Sequence, residues 1–221
     1  MTPMDEEYIA SLIESEAEES LNIEYKAAFK WENRQSAMSW VQGQALQAVL
    51  GFTNTAGGGL LLIGVKDDGA GNTEFTGLEA SMVASYRNLE AIQECIDKFA
   101  DGPLTYSIKP ITYTKDGVEQ NYIAIAINEF GAMPVLCNRD FSITKPTGEV
   151  AWLMRKHDLY ARSKTGRFGT IKATRIELKD VIDLAHTKAE ERIIQLMGSV
   201  VENVPTGQTQ QSPYTEMDQD L

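Results

Sequence analysis

The stretch Asn54-Thr-Ala-Gly-Gly-Gly-Leu-Leu-Leu-Ile-Gly-Val-Lys-Asp-Asp-Gly69 decides the fold. Before it, from Ser39 to Asn54, apolar residues recur at three- and four-residue steps, which predicts a helix with one buried face. Glycines 57–59 end that helix, because glycine readily takes the left-handed conformation. The continuous apolar run Leu60–Val65 then predicts a strand buried on both faces, and that strand leads directly into two aspartates.

The segments on either side of this stretch alternate between helix and strand patterns. Lys115-Asp-Gly117 lies between two strand-like segments, and the aspartate-glycine step favours a hairpin. The predicted helices are 8–19, 86–99 and 176–200; the predicted strands are 23–26, 105–114, 120–127, 150–154 and 159–162. This order predicts an α/β (α+β) fold, with a mixed sheet that contains an antiparallel hairpin and has helices packed against it.

Length and composition favour one principal domain in the 221-residue chain. We expect an acidic N-terminal helix over 1–16, a domain over 17–202 that includes the closing helix, and a disordered tail over 203–221. No apolar run is long enough to span a bilayer and no secretory leader is visible, so we expect a soluble, cytoplasmic protein without membrane contact. Cys95 and Cys137 lack metal-ligand spacing and are expected to be buried free thiols.

Charge is distributed unevenly along the chain. The net charge is -12, which argues against a protein coated with basic residues for non-specific phosphate binding. Residues 155–175 are the exception, with a net charge of +6 from one acid, Asp158, and seven cations: Arg155, Lys156, Arg162, Lys164, Arg167, Lys172 and Arg175. This basic strip is either a solvated surface or a patch that follows a phosphate backbone.

Two groups of carboxylates suggest metal chemistry. Glu19 and Glu24 lie five residues apart with Lys26 beside them, and Asp67 and Asp68 follow the buried strand. Carboxylate oxygens are the ligands that Mg²⁺ or Mn²⁺ prefers, and such an ion can activate water for attack on a phosphodiester. Each group also has a simpler explanation, since Glu19 fits a helix end and the aspartates fit a turn.

Other common chemistries are disfavoured. The glycine run follows a helix and precedes a strand, whereas phosphate loops follow a strand and open a helix, so we expect no bound nucleotide. His157 and His186 are the only histidines, and neither lies near a nucleophile signature.

The two carboxylate groups occur in the order and spacing of a known pattern. That pattern is Glu-x4-Glu-Phe/Tyr-Lys, then Asn-Thr-x-Gly-Gly-x-Leu-x-Ile-Gly-Val-x-Asp-x-Gly, and a third part matches Leu159-Tyr-Ala-Arg162 through Thr170. Over roughly residues 17–185 the sequence resembles the Schlafen AlbA-like domain family of bacterial and phage proteins. The resemblance implies the Schlafen AlbA-like fold and a protein that acts on RNA or DNA.

The resemblance also implies site residues. By analogy with the Schlafen endoribonucleases, which act on structured RNA such as tRNA, the catalytic and metal-binding residues would be Glu19, Glu24 and Asp67, with Asp68 as the alternative third acid, and Mg²⁺ or Mn²⁺ as cofactor. The expected nucleic-acid contacts are Lys26, Arg155, Arg162, Lys164, Arg167 and Lys172. Those ribonucleases use two related lobes and this chain has the motifs once, so a homodimer is expected. The connection Met133–Val150 is longer than usual in the family and suggests a specificity loop or partner surface.

Three functions therefore remain open at the level of sequence. The first is a metal-dependent endonuclease, for example in phage defence. The second is a non-catalytic nucleic-acid-binding module that uses the same basic residues. The third is a protein-protein adaptor or inhibitor, whose acidic surface would occupy a basic groove on a protein partner.

Overall fold

A central four-stranded sheet organises the protein. The computed structural model describes residues 5–28, 41–67, 73–86, 89–115, 117–145, 147–165 and 169–202. The sheet has the order β1-β2-β6-β5, where the strands are β1 (Ile23–Lys26), β2 (Gly59–Ile63), β5 (Tyr106–Lys115) and β6 (Val118–Ile127). β1 runs parallel to β2, and the other two pairings are antiparallel. The predicted mixed sheet with an antiparallel hairpin is confirmed.

Helices cover both faces of this sheet. The described helices are α1 (Glu6–Glu14), α2 (Leu46–Thr53), α3 (Ala80–Tyr86), α4 (Glu90–Phe99) and α5 (Arg175–Glu202), and a π-helical turn at Val41–Ala45 leads into α2. On β2, Leu60 and Leu62 share a core with α1, whereas Leu61 and Ile63 share a core with α2 and α4. Side chains alternate between the faces of a strand. The apolar run is continuous because both faces are buried.

Three pairs of short strands surround the sheet. They are β3 (Val65–Asp67) with β4 (Thr73–Phe75), β7 (Phe141–Thr144) with β8 (Val150–Met154), and β9 (Tyr160–Arg162) with β10 (Thr170–Lys172). All three pairings are antiparallel. Strand β7 lies within the connection Met133–Val150 that the sequence marked as unusually long, and β8 begins at the last residue of that connection.

The turn between α2 and β2 requires particular residues of the stretch Asn54–Gly69, among them Asn54 and Gly58. Gly58 has φ +65°, and a Cβ there would lie 2.1 Å from the carbonyl oxygen of Ile127. Asn54 is buried, and its Nδ2 donates to the carbonyls of Leu50, Val135 and Tyr160 while its Oδ1 accepts from the main chain of Val135. The asparagine thus fastens the end of α2 to two other segments.

Several boundaries differ from those expected. The helix predicted over 8–19 ends at Glu14, because Glu16 takes the left-handed conformation with φ 47°. Part of the helix predicted from Ser39, and the tail 203–221, lie outside the described residues. Cys95 and Cys137 are buried and are not joined in a disulfide, as expected. In the part of the chain that the structure describes, no helix is long and apolar enough to cross a membrane.

Candidate functional site

Glu24 lies on β1 with both carboxylate oxygens occupied by cations. Its Oε1 is 2.5 Å from Nζ of Lys26, and its Oε2 pairs with Nη1 of Arg162. Glu24 and Lys26 are two residues apart on one strand, so their side chains leave the same face of the sheet. The side chain of Glu24 is only 9% exposed. The carboxylate is therefore charge-compensated at a site with little access to water.

Arg162 reaches this carboxylate from β9, and its guanidinium is completely buried. All five of its N–H donors have partners, the full number that a guanidinium carries. Besides Glu24 these are the carbonyls of Ser20, Leu21 and Ile23 and the hydroxyl of Thr170. The guanidinium also lies 4.7 Å from the ring centroid of Phe52. Burial lowers the pKa of Arg162, and the neighbouring Glu24 acts against that shift.

The position of Arg162 departs from its expected role. A phosphate cannot reach the buried guanidinium in this structure, so Arg162 holds β1 and Glu24 in place instead of offering a surface charge. The sequence placed it in a basic strip, but only the packing of β9 against α2 determines that this particular cation points inward.

Glu19 lies immediately before β1 and joins the same cluster. Its Oε1 accepts a hydrogen bond of 2.8 Å from the main-chain N–H of Tyr25. Burial raises the pKa of Glu19 and the nearby charge of Glu24 raises it further, while the Tyr25 N–H, Lys26 and Arg162 oppose the shift. The structure therefore brings Glu19, Glu24, Lys26 and Arg162 together, as a carboxylate cluster with its own counter-charges.

The third expected acid is only partly described. Asp67 ends β3, where its main chain pairs with Thr73. β3 follows directly from Gly64, whose N–H donates to the carbonyl of Lys26. The side chain of Asp67 is not described, and Asp68 and Arg167 lie outside the described residues.

The described carboxylates do not fit a divalent metal centre. Lys26 and Arg162 already occupy the two oxygens of Glu24, and a divalent cation would have to bind against both positive charges. Within the described ranges, no group of three or more His, Cys, Asp or Glu residues could hold a metal ion. The metal site with Asp67 remains a prediction.

The basic strip is partly neutralised by acids from other parts of the fold. Lys164 is 2.8 Å from Asp180 of α5, and Lys172 is 2.7 Å from Asp158. Lys26 is engaged with Glu24 and its side chain is 26% exposed. Arg155 is exposed and lies over the ring of Trp152. The strip is therefore a mixed surface, in which Arg162 is buried, Lys164 and Lys172 pair with acids, and Arg155 and Lys156 are exposed.

The family comparison matches the part of the chain that builds this cluster. The family described as "Schlafen, AlbA_2" matches residues 19–162, which is well over half of the chain. The chain belongs to the Schlafen AlbA_2 family. The match begins at Glu19 and ends at Arg162, so it includes every residue of the carboxylate cluster. Membership indicates a nucleic-acid-related function.

The chain also has a distant structural likeness to a solved protein. The DIP2311 protein from Corynebacterium diphtheriae aligns with a TM-score of 0.42 at 16% sequence identity. The alignment covers 76% of this chain and 26% of that protein, so the Schlafen AlbA_2 chain spans about a quarter of its length. No curated protein sequence matches the chain.

The Schlafen AlbA_2 chain brings one further cation, Arg139, to the segment that carries Arg155 and Lys156. Segments 137–140 and 155–158 are joined by hydrogen bonds, from Cys137 N to Asp158 O, from His157 N to Cys137 O and from Lys156 N to Asp140 Oδ1. Arg139 on the first segment is exposed, as are Arg155 and Lys156 on the second. We call these three residues the cationic loop pair. Sequence reasoning missed Arg139 because its neighbours in the chain form no basic run.

A cleft of about 360 Å³ lies beside the carboxylate cluster, between α5 and the turn that follows α2. Its lining includes Thr55 and Lys164, but also Glu177, Asp180 and Asp183. Like charges disfavour a phosphate in such a cleft. The cleft therefore does not extend the cationic surface of the Schlafen AlbA_2 domain.

Proposed function

We propose that this Schlafen AlbA_2 domain is a nucleic-acid-binding module that contacts phosphates through the cationic loop pair, Arg139, Arg155 and Lys156. The observation that carries the proposal is the hydrogen-bonded pairing of segments 137–140 and 155–158, which holds three exposed cations in one region of a chain with net charge -12. Local cations of this kind supply the sequence-independent part of nucleic-acid affinity. Family membership supports the same class of ligand.

The carboxylate cluster favours binding over cleavage. A nuclease that used Glu24 as a metal ligand would need its oxygens available, and here Lys26 and Arg162 occupy both. The cluster instead joins β1 to β9 and positions the end of the basic strip. Glu19, Glu24 and Asp67 as catalytic acids, with Mg²⁺ or Mn²⁺, form the competing proposal, which the second experiment below addresses.

The acidic N-terminal helix gives less support to an adaptor function than its composition suggests. Glu6 pairs with Lys109, and Glu16, just beyond the helix, pairs with Lys115; both lysines belong to β5. The buried face of α1 also packs on the sheet through Ile9 and Ile13. Part of this acidity therefore serves contacts within the domain.

Binding can be measured by fluorescence anisotropy with labelled single-stranded RNA, single-stranded DNA, duplex DNA and tRNA over a range of KCl concentrations. We expect salt-dependent binding that weakens about tenfold or more in the Arg155→Ala/Lys156→Ala double variant. The salt slope should fall by about two, because each lost phosphate contact removes about one unit. Arg192→Ala, an exposed substitution on α5, is the matched control. The absence of salt-sensitive binding to all four ligands would overturn the proposal.

Cleavage is tested on the same four substrates with Mn²⁺, Mg²⁺ or EDTA. We expect intact substrates under all three conditions. Two results together would show that the protein is a metal-dependent nuclease and not only a binding module. Cleavage products would have to depend on the metal, and the near-isosteric variant Glu24→Gln would have to abolish them while keeping the circular dichroism spectrum of the wild type. A homodimer, also expected from the family, is tested by the mass of the protein in solution.

A further inference from the structure

Trp152 is an unusual surface residue on the β7–β8 hairpin. It is 50% exposed, although tryptophan carries a large apolar surface. Two residues further along β8, Met154 is completely buried, and the register of the β7–β8 pairing shifts between Trp152 and Met154. β8 therefore passes from an exposed position at Trp152 to a buried position at Met154.

The ring of Trp152 has a cationic neighbour. The guanidinium carbon of Arg155 lies 4.7 Å from the ring centroid, within the range of a cation–π contact. Opposite Trp152 across the hairpin stands Ser142, a residue with a small side chain. Arg155 also belongs to the cationic loop pair, so an exposed aromatic face and exposed cations are adjacent.

We propose that Trp152 is a stacking platform for an unpaired base, so that the ligand of this surface is single-stranded nucleic acid or the single-stranded part of a structured RNA. The inference rests on the proposed nucleic-acid-binding function and narrows its ligand. Aromatic side chains beside a cationic track are the arrangement that binds single strands, because every base offers a π face and every nucleotide a phosphate. In a duplex those faces are stacked on one another.

The charges around the ring favour nucleic acid over an apolar protein surface. The cation against the ring is Arg155, and Lys156 follows it in the chain. The acids of the neighbouring segments are engaged, since Asp158 pairs with Lys172 and Asp140 accepts from the main chain of Lys156. Ile143, another exposed apolar residue of the hairpin, is opposite Ala151 and so lies on the other face of the ribbon. Val150, also 50% exposed, lies two residues before Trp152 on the same face, so this face combines an aromatic ring and one valine with the guanidinium of Arg155.

The test compares single-stranded and duplex oligonucleotides of one sequence by anisotropy, with wild type, Trp152→Ala, Trp152→Phe and the control Ile143→Ala. We expect the wild type to prefer the single strand. Trp152→Ala should weaken single-strand binding about tenfold, within the range found for loss of one stacked base. Trp152→Phe should keep most of the affinity, and Ile143→Ala should keep all of it.

A second measurement leaves the protein unchanged and so does not depend on how Trp152→Ala folds. An oligonucleotide with consecutive abasic sites keeps its phosphates but offers no base to stack, and we expect the wild type to bind it about tenfold more weakly. Equal affinity for the abasic and normal strands, or for duplex and single strand, would overturn the stacking role. If those affinities are equal and Arg155→Ala/Lys156→Ala still binds weakly, the binding module stands without the platform. No binding to any oligonucleotide would instead refute the proposed function itself and leave the surface to a protein partner.

Discussion

Glu24 and Arg162 stand 138 residues apart in the chain and form a buried ion pair. The pair is surrounded by further contacts of the guanidinium to the carbonyls of residues 20–23. Because Glu24 belongs to β1 and Arg162 to β9, this ion pair links the two strands. The sequence suggests that Glu24 is a metal ligand and that Arg162 contacts phosphate, but in the structure the two side chains bind each other.

Replacing Arg162 by methionine should lower the free energy of unfolding by about 4 kcal/mol, because removal of one partner leaves a buried charge and several carbonyls without donors. Arg162→Lys should recover only part of this loss, since an ammonium has three donors where the guanidinium has five. Urea denaturation measures both variants. Arg192→Met, which changes an exposed arginine, is the control; an equal effect of Arg162→Met and Arg192→Met would contradict the structural role of the pair.

Asn54→Ala should also destabilise the domain, by about 3 kcal/mol. The substitution leaves the buried N–H of Val135 without its acceptor and removes the donor shared by three carbonyls. Asn22→Ala is a useful comparison, because Asn22 also bonds to main-chain carbonyls, those of Ala56 and Gly58, but is less buried. A smaller loss for Asn54→Ala than for Asn22→Ala in urea denaturation would show that the buried amide is not the main fastener of this turn.

Gly58→Ala should lower the stability of the domain for two separable reasons. Its φ is +65°, and the new Cβ would meet the carbonyl oxygen of Ile127 at 2.1 Å. Gly117 has φ +79° with open space around it, so Gly117→Ala isolates the backbone strain at about 1 kcal/mol. Gly131, with open space and no positive φ, should tolerate alanine. Thermal unfolding should rank the three variants in the order Gly58, Gly117, Gly131 by loss of stability; any other order would contradict the close approach.

The raised pKa of Glu19 gives a pH dependence of stability with a definite sign. Because the pKa of Glu19 is raised above the ordinary value of 4.5, the folded protein holds this proton more tightly than the unfolded chain does. The resulting contribution to the free energy of unfolding is fully present below pH 4.5 and is lost as the pH rises through the folded pKa. Glu19→Gln keeps an oxygen for the Tyr25 N–H and cannot ionise. The variant should therefore gain stability relative to wild type as the pH rises above 4.5 through the raised pKa of folded Glu19. A constant difference across this range would show that the folded pKa is ordinary.

The fold was more predictable from sequence than the site. The apolar run 60–65 and the hairpin around Lys115-Asp-Gly117 carry their own local signals, and the structure confirms both as strands. Strand β8 was predicted with its observed bounds, 150–154, whereas the helix α3 and the strand β7 were missed because each is too short for a clear period.

The site depends on contacts that no local pattern records. Lys164 and Lys172 belong to a basic run in sequence, yet Asp180 and Asp158 neutralise them in space. Arg162 differs from Arg155 only in where its strand is packed: one is buried against Phe52 and the other is exposed over Trp152. Composition can predict that cations are near one another along the chain, but tertiary packing decides which of them meet solvent.

The contacts of Arg162 also bear on the order in which the protein is completed during synthesis. β1 can pair with β2 once residues 59–63 have left the ribosome. The carbonyls of residues 20, 21 and 23 can bond to Arg162 only after residue 162 has been made. Until then these carbonyls lack the guanidinium that they bond to in the folded domain. The earliest strand to be made is thus closed by one of the last, and a chain that stops short of β9 lacks the residue that secures its beginning.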